Sequence, residues 1–308
     1  MFALYAFARI TDDLSDDSQH WQLGDQRLIA WQQRLSQQLA TPTSVHPQVQ
    51  LISPFQRNSG AQRNSGAQLK SGAPAQAAQT GMAAPSADAF ELAQFDRLWP
   101  ALGHTVDQYH IPHDLLHDLI AGVQMDMAPT IQLRDWSAVD QYCYHVAGTV
   151  GLACTHIWQA RPTLPRQAAL DCALAFQYTN ILRDLGEDAR RGRIYVPLTE
   201  LAAHDCQAAA WLAGRPDGDW LGAIDEMIAR ARELYQSAAA TIDYLPKHGA
   251  RMYWLMWNSY RALLELVAKH KHELWTVGRL SLPRSRTLWL LGRSLVTRLD
   301  AGGLQRKL

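Results

Sequence analysis

Carboxylates stacked on like carboxylates at the ends of apolar helices constrain this chain more than any other feature. Asp12-Asp13-Leu14-Ser15-Asp16-Asp17 follows the apolar run FALYAFA at 2–8, and Asp184-Leu185-Gly186-Glu187-Asp188 follows ALAFQYTNIL at 173–182. Residues i and i+4 share a helix face, so Asp12 stacks on Asp16, Asp13 on Asp17 and Asp184 on Asp188. Each like-charged pair costs a helix about 0.2–0.5 kcal/mol. The cost rises beside buried surface, where an unpaired carboxylate is poorly solvated. A cation belongs between the clusters. A hard divalent ion holding a diphosphate is the leading candidate, because carboxylate oxygens suit Mg²⁺ and Mg²⁺ shares its shell with substrate phosphates.

At 308 residues, 47% hydrophobic and 19% charged, the chain reads as an ordinary globular protein able to bury a large core. Lys+Arg and Asp+Glu balance at 29 each, so no global field draws it to nucleic acid and any anion site must be local. The cysteines (Cys143, Cys154, Cys172, Cys206) have no CxxC spacing and read as reduced, buried thiols of a cytoplasmic protein. Met1 runs straight into an apolar segment and then aspartates, so no signal peptide is expected. No run of apolar residues is long enough for a spanning helix. The Trp count is 11, with Trp254, Trp257, Trp275 and Trp289 all near the C-terminus. That richness points to large apolar cavities or to a face touching lipid.

The periodicity is helical almost throughout, and no strand is expected. Helices are predicted over 1–15, 25–40, 88–109, 113–127, 136–160, 165–190, 218–244, 249–272 and 284–299, with Pro112, Pro165 and Pro283 at or just before helix starts. Residues 41–87 break the pattern. They contain QRNSGA twice and then QLKSGA, in a Gly/Pro/Ser-rich background that cannot bury enough surface to offset its ordering entropy. This reads as a disordered insertion in one helical domain formed by 1–40 and 88–300, followed by a flexible tail at 301–308.

Around the second cluster, Gln177, Asn180, Arg183/Asp184, Glu187/Asp188 and Arg191 recur at spacings of three and four. One helical stripe thus carries amides, carboxylates and guanidinium groups, the last able to grip a diphosphate bidentately. A solvated, salt-bridged helix end would look similar. The first cluster weighs against that reading, because Tyr5, Arg9, Asp12, Asp13 and Asp16 repeat the grammar of apolar helix, Arg, then paired Asp. Two such helices facing each other would cage Mg²⁺ and diphosphate beside an apolar cavity and favour ionisation of an allylic C–O bond. Between the clusters, YCYHVAGTVGL (142–152) puts Ala147, Gly148 and Gly151 on one face. Each helical glycine costs about 1 kcal/mol relative to Ala. Close helix packing or a bend admitting a long ligand would account for them, and the spacing favours packing.

The strings YxxxRxxDDxxD (5–16), YCYxVAGTVG (142–151) and QxxNxxRDxxEDxxxxRxYxP (177–197) closely resemble the squalene/phytoene synthase family, and most of all its bacterial farnesyl-diphosphate branch. The resemblance covers nearly the whole chain outside the insertion. It implies an all-α isoprenoid-synthase fold around a central prenyl cavity, and a Mg²⁺-dependent head-to-head condensation of two prenyl diphosphates. Farnesyl diphosphate would give presqualene diphosphate and a squalene-type product, with NADPH as a possible reductant. Phytoene synthesis from geranylgeranyl diphosphate is the alternative, and a non-catalytic assembly factor of the same fold a third reading.

Position by position, the resemblance makes Asp12, Asp16, Asp184 and Asp188 metal ligands, with Asp13 and Glu187 as acidic neighbours and Tyr142 completing the catalytic set. It places Arg9, Tyr5, Gln177, Asn180, Arg183, Arg193, Tyr260 and Arg279 at the diphosphate end of the cavity, and Val146, Ala147, Val150, Gly151 and Leu152 along the prenyl channel. Family members carry a further helix before the first aspartate motif, so residues 2–10 here are expected to leave apolar surface uncovered.

Three weaker signals remain. His113-Asp114-Leu115-Leu116-His117 looks like a zinc motif, but the Asp is too short and no third ligand is evident. Asp12-Asp13-x-x-Asp16 also fits head-to-tail prenyltransferases. Their second motif, however, has an Asp three residues after its Gln, and here Gln177 is followed by Asp184. The Trp/Arg-containing segment 284–299 is expected to pack on the core rather than lie on a membrane, since its arginines can snorkel on a soluble helix. Peripheral membrane contact for product release stays open.

Overall fold

In a computed structural model, residues 1–15, 21–40, 95–276 and 279–305 are described. The helices are α1 (Phe2–Ser15), α2 (Trp21–Ala40), α3 (Leu98–Tyr109), α4 (His113–Asp126), α5 (Trp136–Cys143), α6 (Thr149–Ile157), α7 (Arg166–Arg190), α8 (Leu198–Ala203), α9 (Ala208–Leu212), α10 (Trp220–Ala238), α11 (Lys247–Lys269), α12 (Arg284–Val296) and α13 (Ala301–Gln305). The fold is all-α, as the helical periodicity predicts. The insertion at 41–87, Asp16, Asp17 and the predicted helix start at 88–94 lie outside the described residues.

Helix α7 is the axis of the molecule. It is buried on most of its circumference from Ala168 to Ala189, and α6, α10 and α11 pack around it. A helix apolar on every side belongs at the centre of a bundle. On α1, Leu4, Phe7 and Thr11 face inward at helical spacing. Phe7 stacks on Trp31 at 5.9 Å, and Trp31 Nε1 donates to Thr11 Oγ1 at 2.9 Å, fixing α1 against α2 and α3. The opposite face is open, with Phe2 91% and Tyr5 68% exposed.

Helix boundaries follow local chemistry. Asp135 and Asp219 accept hydrogen bonds from the backbone N–H of Ala138 and Gly222, both at 3.0 Å, and start α5 and α10. Pro112, Pro165, Pro246 and Pro283 stand immediately before α4, α7, α11 and α12. Helix α3 begins at Leu98 because Pro100 is tolerated only in a first turn.

Several expectations need correction. Ile131–Gln132 and Arg193–Ile194 form a short parallel ladder, too brief for a period-two pattern to reveal it. The predicted helix over 136–160 contains a π-turn at Tyr144–Gly148 and ends at Ile157. The predicted helix over 218–244 gives way to a 3₁₀ turn at Ala239–Tyr244, and the predicted helix over 284–299 ends at Val296. The tail is not loose through 305. Ala301–Gln305 is helical, Leu304 is 0% exposed, and the Ala301 N–H donates to Asp243 Oδ1 at 3.0 Å. Helix α12 packs on α11 as expected, burying Leu290 in the core together with Ser294, while the rest of its surface stays open.

Candidate functional site

Helix α7 delivers the second acidic cluster as a stripe along one face. Gln177, Asn180, Asp184 and Asp188 follow each other at spacings of three and four residues. Asn180 donates to Gln177 Oε1 at 3.3 Å, which leaves Asn180 Oδ1 buried without a hydrogen-bond partner. Arg183 forks onto Asp184, with Nε at 2.7 Å from Oδ1, and Arg279 Nε approaches the same oxygen at 3.2 Å. Burial works against the Arg183 charge, but the hydrogen bond and charge of Asp184 more than offset it, so the guanidinium stays charged. Glu187 is turned aside and pairs with Arg191 at 2.7 Å. Asp188 is half-buried, and its carboxyl is pushed up to about 7, first by burial and then by the neighbouring Asp184 charge, against the pull of Arg193 and Arg191.

Gly186 lies between the two aspartates, where a second backbone comes close. A Cβ there would lie 2.7 Å from the Leu274 carbonyl oxygen and 3.3 Å from Trp275 Cα. The glycine lets the 274–275 backbone lie directly on α7.

The short ladder organises a second group. Arg193 and Tyr195 follow from strand pairing, and Arg193 Nη2 donates to the Asp126 carbonyl at 2.8 Å. Tyr142 and Tyr195 donate to Asp126 Oδ1 at 3.0 and 3.1 Å, and their rings stack at 4.7 Å. Burial, then Asp126, holds the Tyr142 hydroxyl well above its ordinary value, so it remains a proton donor. Asp126 was missed in the sequence. It closes an apolar helix alone, with no carboxylate at helical spacing, and its role depends on meeting three residues from other elements. Tyr142 and Arg193, singled out in the sequence, both converge on it.

Val146 and Ala147 are half-buried on the π-turn. A Cβ at Gly151 would meet Ala173 Cβ at 2.7 Å, so the glycine is used for packing α6 against α7. Tyr260 on α11 stacks on Phe176 at 4.3 Å.

The first cluster is carried by α1. Arg9 pairs with Asp13 at 2.7 Å and reaches Asp12 at 3.7 Å, and both aspartates are about half exposed. Helix α1 packs on α2, α3 and α4, whereas α7 packs on α6, α10 and α11. Among the described residues no three acidic, histidine or cysteine side chains converge as a formed ion site.

A sequence profile described as squalene/phytoene synthase matches residues 1–286. The chain belongs to the squalene/phytoene synthase family. Curated relatives include phytoene synthase 3 of Zea mays, 34% identical over 216 residues (67% of this chain, 50% of the relative). Phytoene synthase 1 of Solanum lycopersicum is 33% identical over 229 residues, or 71% of this chain and 55% of the relative. The chain therefore spans about half the length of these relatives. A dehydrosqualene synthase crystal structure superposes with a TM-score of 0.69 at 21% identity, covering 96% of this chain and 84% of that one. Squalene synthase HpnC from Alicyclobacillus acidocaldarius gives 0.53 at 22% identity, covering 57% of this chain and 66% of that one. At such identities these two show a shared fold. Members of the family are prenyltransferases that bind prenyl diphosphates and generally use a divalent metal.

The donors on α7 fit that metal. Two carboxylates one turn apart and an unpartnered amide oxygen are hard oxygen ligands. Asp184 and Asp188, with Asn180, would hold Mg²⁺ at this site.

Proposed function

We propose that the chain catalyses a head-to-head condensation of two prenyl diphosphates, with farnesyl diphosphate as substrate and presqualene diphosphate as first product. The observation that carries this reading is the α7 stripe, where oxygen ligands alternate with guanidinium groups at the edge of an apolar bundle. Bound Mg²⁺ would supply the positive charge that stabilises a departing diphosphate. Arg183 and Arg279 are placed to grip the same anion, and Arg193 adds positive potential from the ladder. Asn180 and Gln177 orient it by hydrogen bonding. Val146, Ala147 and Gly151, with the stacked Phe176 and Tyr260, form an apolar wall that keeps water from the allylic cation.

In the reaction, the C1–O bond of one substrate breaks and releases diphosphate. C1 then bonds to the 2,3 double bond of the second substrate, and a proton is lost as the cyclopropane closes. Tyr142, held by Asp126, positions the substrate chain where this bond forms. Asp12, Asp13 and Asp16 would complete the ion site from α1. The product so reached needs no reductant, and NADPH finds no support in the fold or the relatives.

A second reading is condensation of two geranylgeranyl diphosphates to a phytoene-type product. It is favoured by the two curated relatives named above, both phytoene synthases. The test is incubation of the purified chain with Mg²⁺ and each substrate, with and without NADPH, followed by product identification. A cyclopropylcarbinyl diphosphate of two farnesyl units supports the first reading. Turnover of the longer substrate alone moves the assignment to the second. No product from either substrate overturns both.

A further inference from the structure

Helix α4 presents Asp118, Gly122 and Asp126 at spacings of four, so the three share one face. That face meets the π-turn at Tyr144–Gly148. Tyr144 donates its hydroxyl to Asp118 Oδ2 at 2.7 Å. His145 Nδ1 lies 3.0 Å from the Asp118 carbonyl oxygen, which can only accept, so Nδ1 carries the proton. A Cβ at Gly122 would lie 2.9 Å from both the carbonyl carbon and the Cβ of His145, so α4 bears directly on the backbone of the turn. At the other end of the face, Asp126 accepts from Tyr142. Burial, then the hydrogen bond to Asp118, raises the Tyr144 hydroxyl and keeps it a donor.

A π-turn carries one residue more than an α-turn, and so rotates the helix that follows by about 100° from a straight continuation. Both flanks of this turn are fixed independently. On α5, Asp140 accepts from Tyr178 at 2.7 Å and from Arg230 at 2.6 Å. On α6, Gly151 lies against Ala173 with no room for a Cβ. The extra residue is therefore absorbed between these anchors, where α4 takes hold. Thr149 Oγ1 donates to the His145 carbonyl at 2.9 Å and gives it a partner where the helical ladder changes step. Val146 and Ala147, placed in the channel wall by the proposed function, follow His145 directly in the turn, so the grip of α4 sets their direction.

We propose that the Asp118–Gly122–Asp126 face of α4, acting through the π-turn, sets the shape of the prenyl channel and with it the discrimination between farnesyl and geranylgeranyl chains. Tyr144 and Asp118 are then positioning residues. This inference rests on the proposed condensation of prenyl diphosphates. The two duties are separate: the α7 stripe meets the diphosphate that both substrates share, whereas the wall at Val146 and Ala147 meets the chain, in which they differ. In an apolar pocket a single methylene is worth about 10–200-fold in discrimination, so a small rotation of that wall is enough to matter.

The test measures kcat/KM for farnesyl and for geranylgeranyl diphosphate, each alone with Mg²⁺. The unmutated chain is expected to prefer one of them by more than about tenfold. Tyr144→Phe and Asp118→Ala should each cut that preference at least about fivefold and speed hydrogen exchange over residues 144–149. Asp118→Asn, which can still accept from Tyr144, should keep most of the preference. Leu304→Ala is the control for lost stability alone. It lies on α13, which packs on α11 and the 239–244 turn, and should leave the preference unchanged. If Asp118→Ala does not fold, Tyr144→Phe carries the test. A preference that Tyr144→Phe leaves intact, or that Leu304→Ala alters as much, overturns the inference while the proposed condensation stands. An unmutated chain that uses both substrates equally does the same. A chain that turns over neither substrate overturns the proposed function, and this inference with it.

Discussion

Asp184 is gripped by Arg183 and Arg279 and stands one turn from Asp188, whose carboxyl is pushed up by burial and by the Asp184 charge. Replacing Asp184 with Ala removes a hard ligand and frees two guanidinium groups. Turnover is expected to fall by about 10²–10³-fold or more, the range seen for losing one electrostatic stabiliser, with the fold retained by circular dichroism. Full activity in that variant would sink the Mg²⁺–diphosphate assignment. Gly186 is the neighbouring test. A Cβ there meets backbone, which cannot step aside as a side-chain tip would. Gly186→Ala is therefore expected to destabilise the protein by about 1–3 kcal/mol despite the higher helix propensity of Ala, as read by urea denaturation. It should also raise KM, because the segment bearing Arg279 is pushed from Asp184. Tyr142→Phe deletes one of two hydroxyls on Asp126. A loss of about 1 kcal/mol in stability is expected from denaturant titration, since Tyr195 and Arg193 still hold the group.

At the scale of elements, α6 and α7 approach so closely that glycine and alanine form the seam. A Cβ at Gly151 meets Ala173 Cβ, which is fixed to its backbone, whereas one at Gly148 meets the mobile Leu170 Cδ1 at 2.7 Å and Tyr144 Cδ2 at 3.1 Å. Gly151→Ala is expected to cost about 1–3 kcal/mol and Gly148→Ala less, measured in the same urea titration. The opposite order would mean that the seam relaxes at Ala173. Helix α13 is a second element with a clear test. Leu304 is fully buried and its helix is tied to Asp243. Leu304→Ala is expected to lower stability by about 2–5 kcal/mol, as for other buried leucines. A thermal midpoint unmoved by that change would show that the C-terminal helix is not docked.

For the whole molecule, the arrangement rests on an acidic, cation-seeking stripe on α7. Chelation with EDTA is expected to reduce product formation at least about a hundredfold, because the metal supplies several kcal/mol of charge stabilisation, and added Mg²⁺ should restore it. Retained activity after chelation would remove Mg²⁺ from the proposal.

Much of this was readable along the chain. Periodicity of three and four placed Gln177, Asn180, Asp184 and Asp188 on one stripe, because helix geometry is local and each turn repeats the last. Proline positions set several helix starts for the same reason. Asp126 was not readable, since its meaning comes from Tyr142, Tyr195 and Arg193 arriving from separate elements. Nor was the ladder at 131–132 and 193–194, whose partners lie far apart in sequence and whose length is too short for a pattern. The open face of α12 was also hidden. Its apolar positions satisfy a core helix and a surface helix equally, and which face is covered depends on what the rest of the chain has already filled. By itself the sequence determined the helices, the carboxylate stripe on α7 and the family. Only the tertiary structure decided which side chains meet across helices and which apolar faces stay open, because those depend on packing between distant segments rather than on the repeat of a single helix.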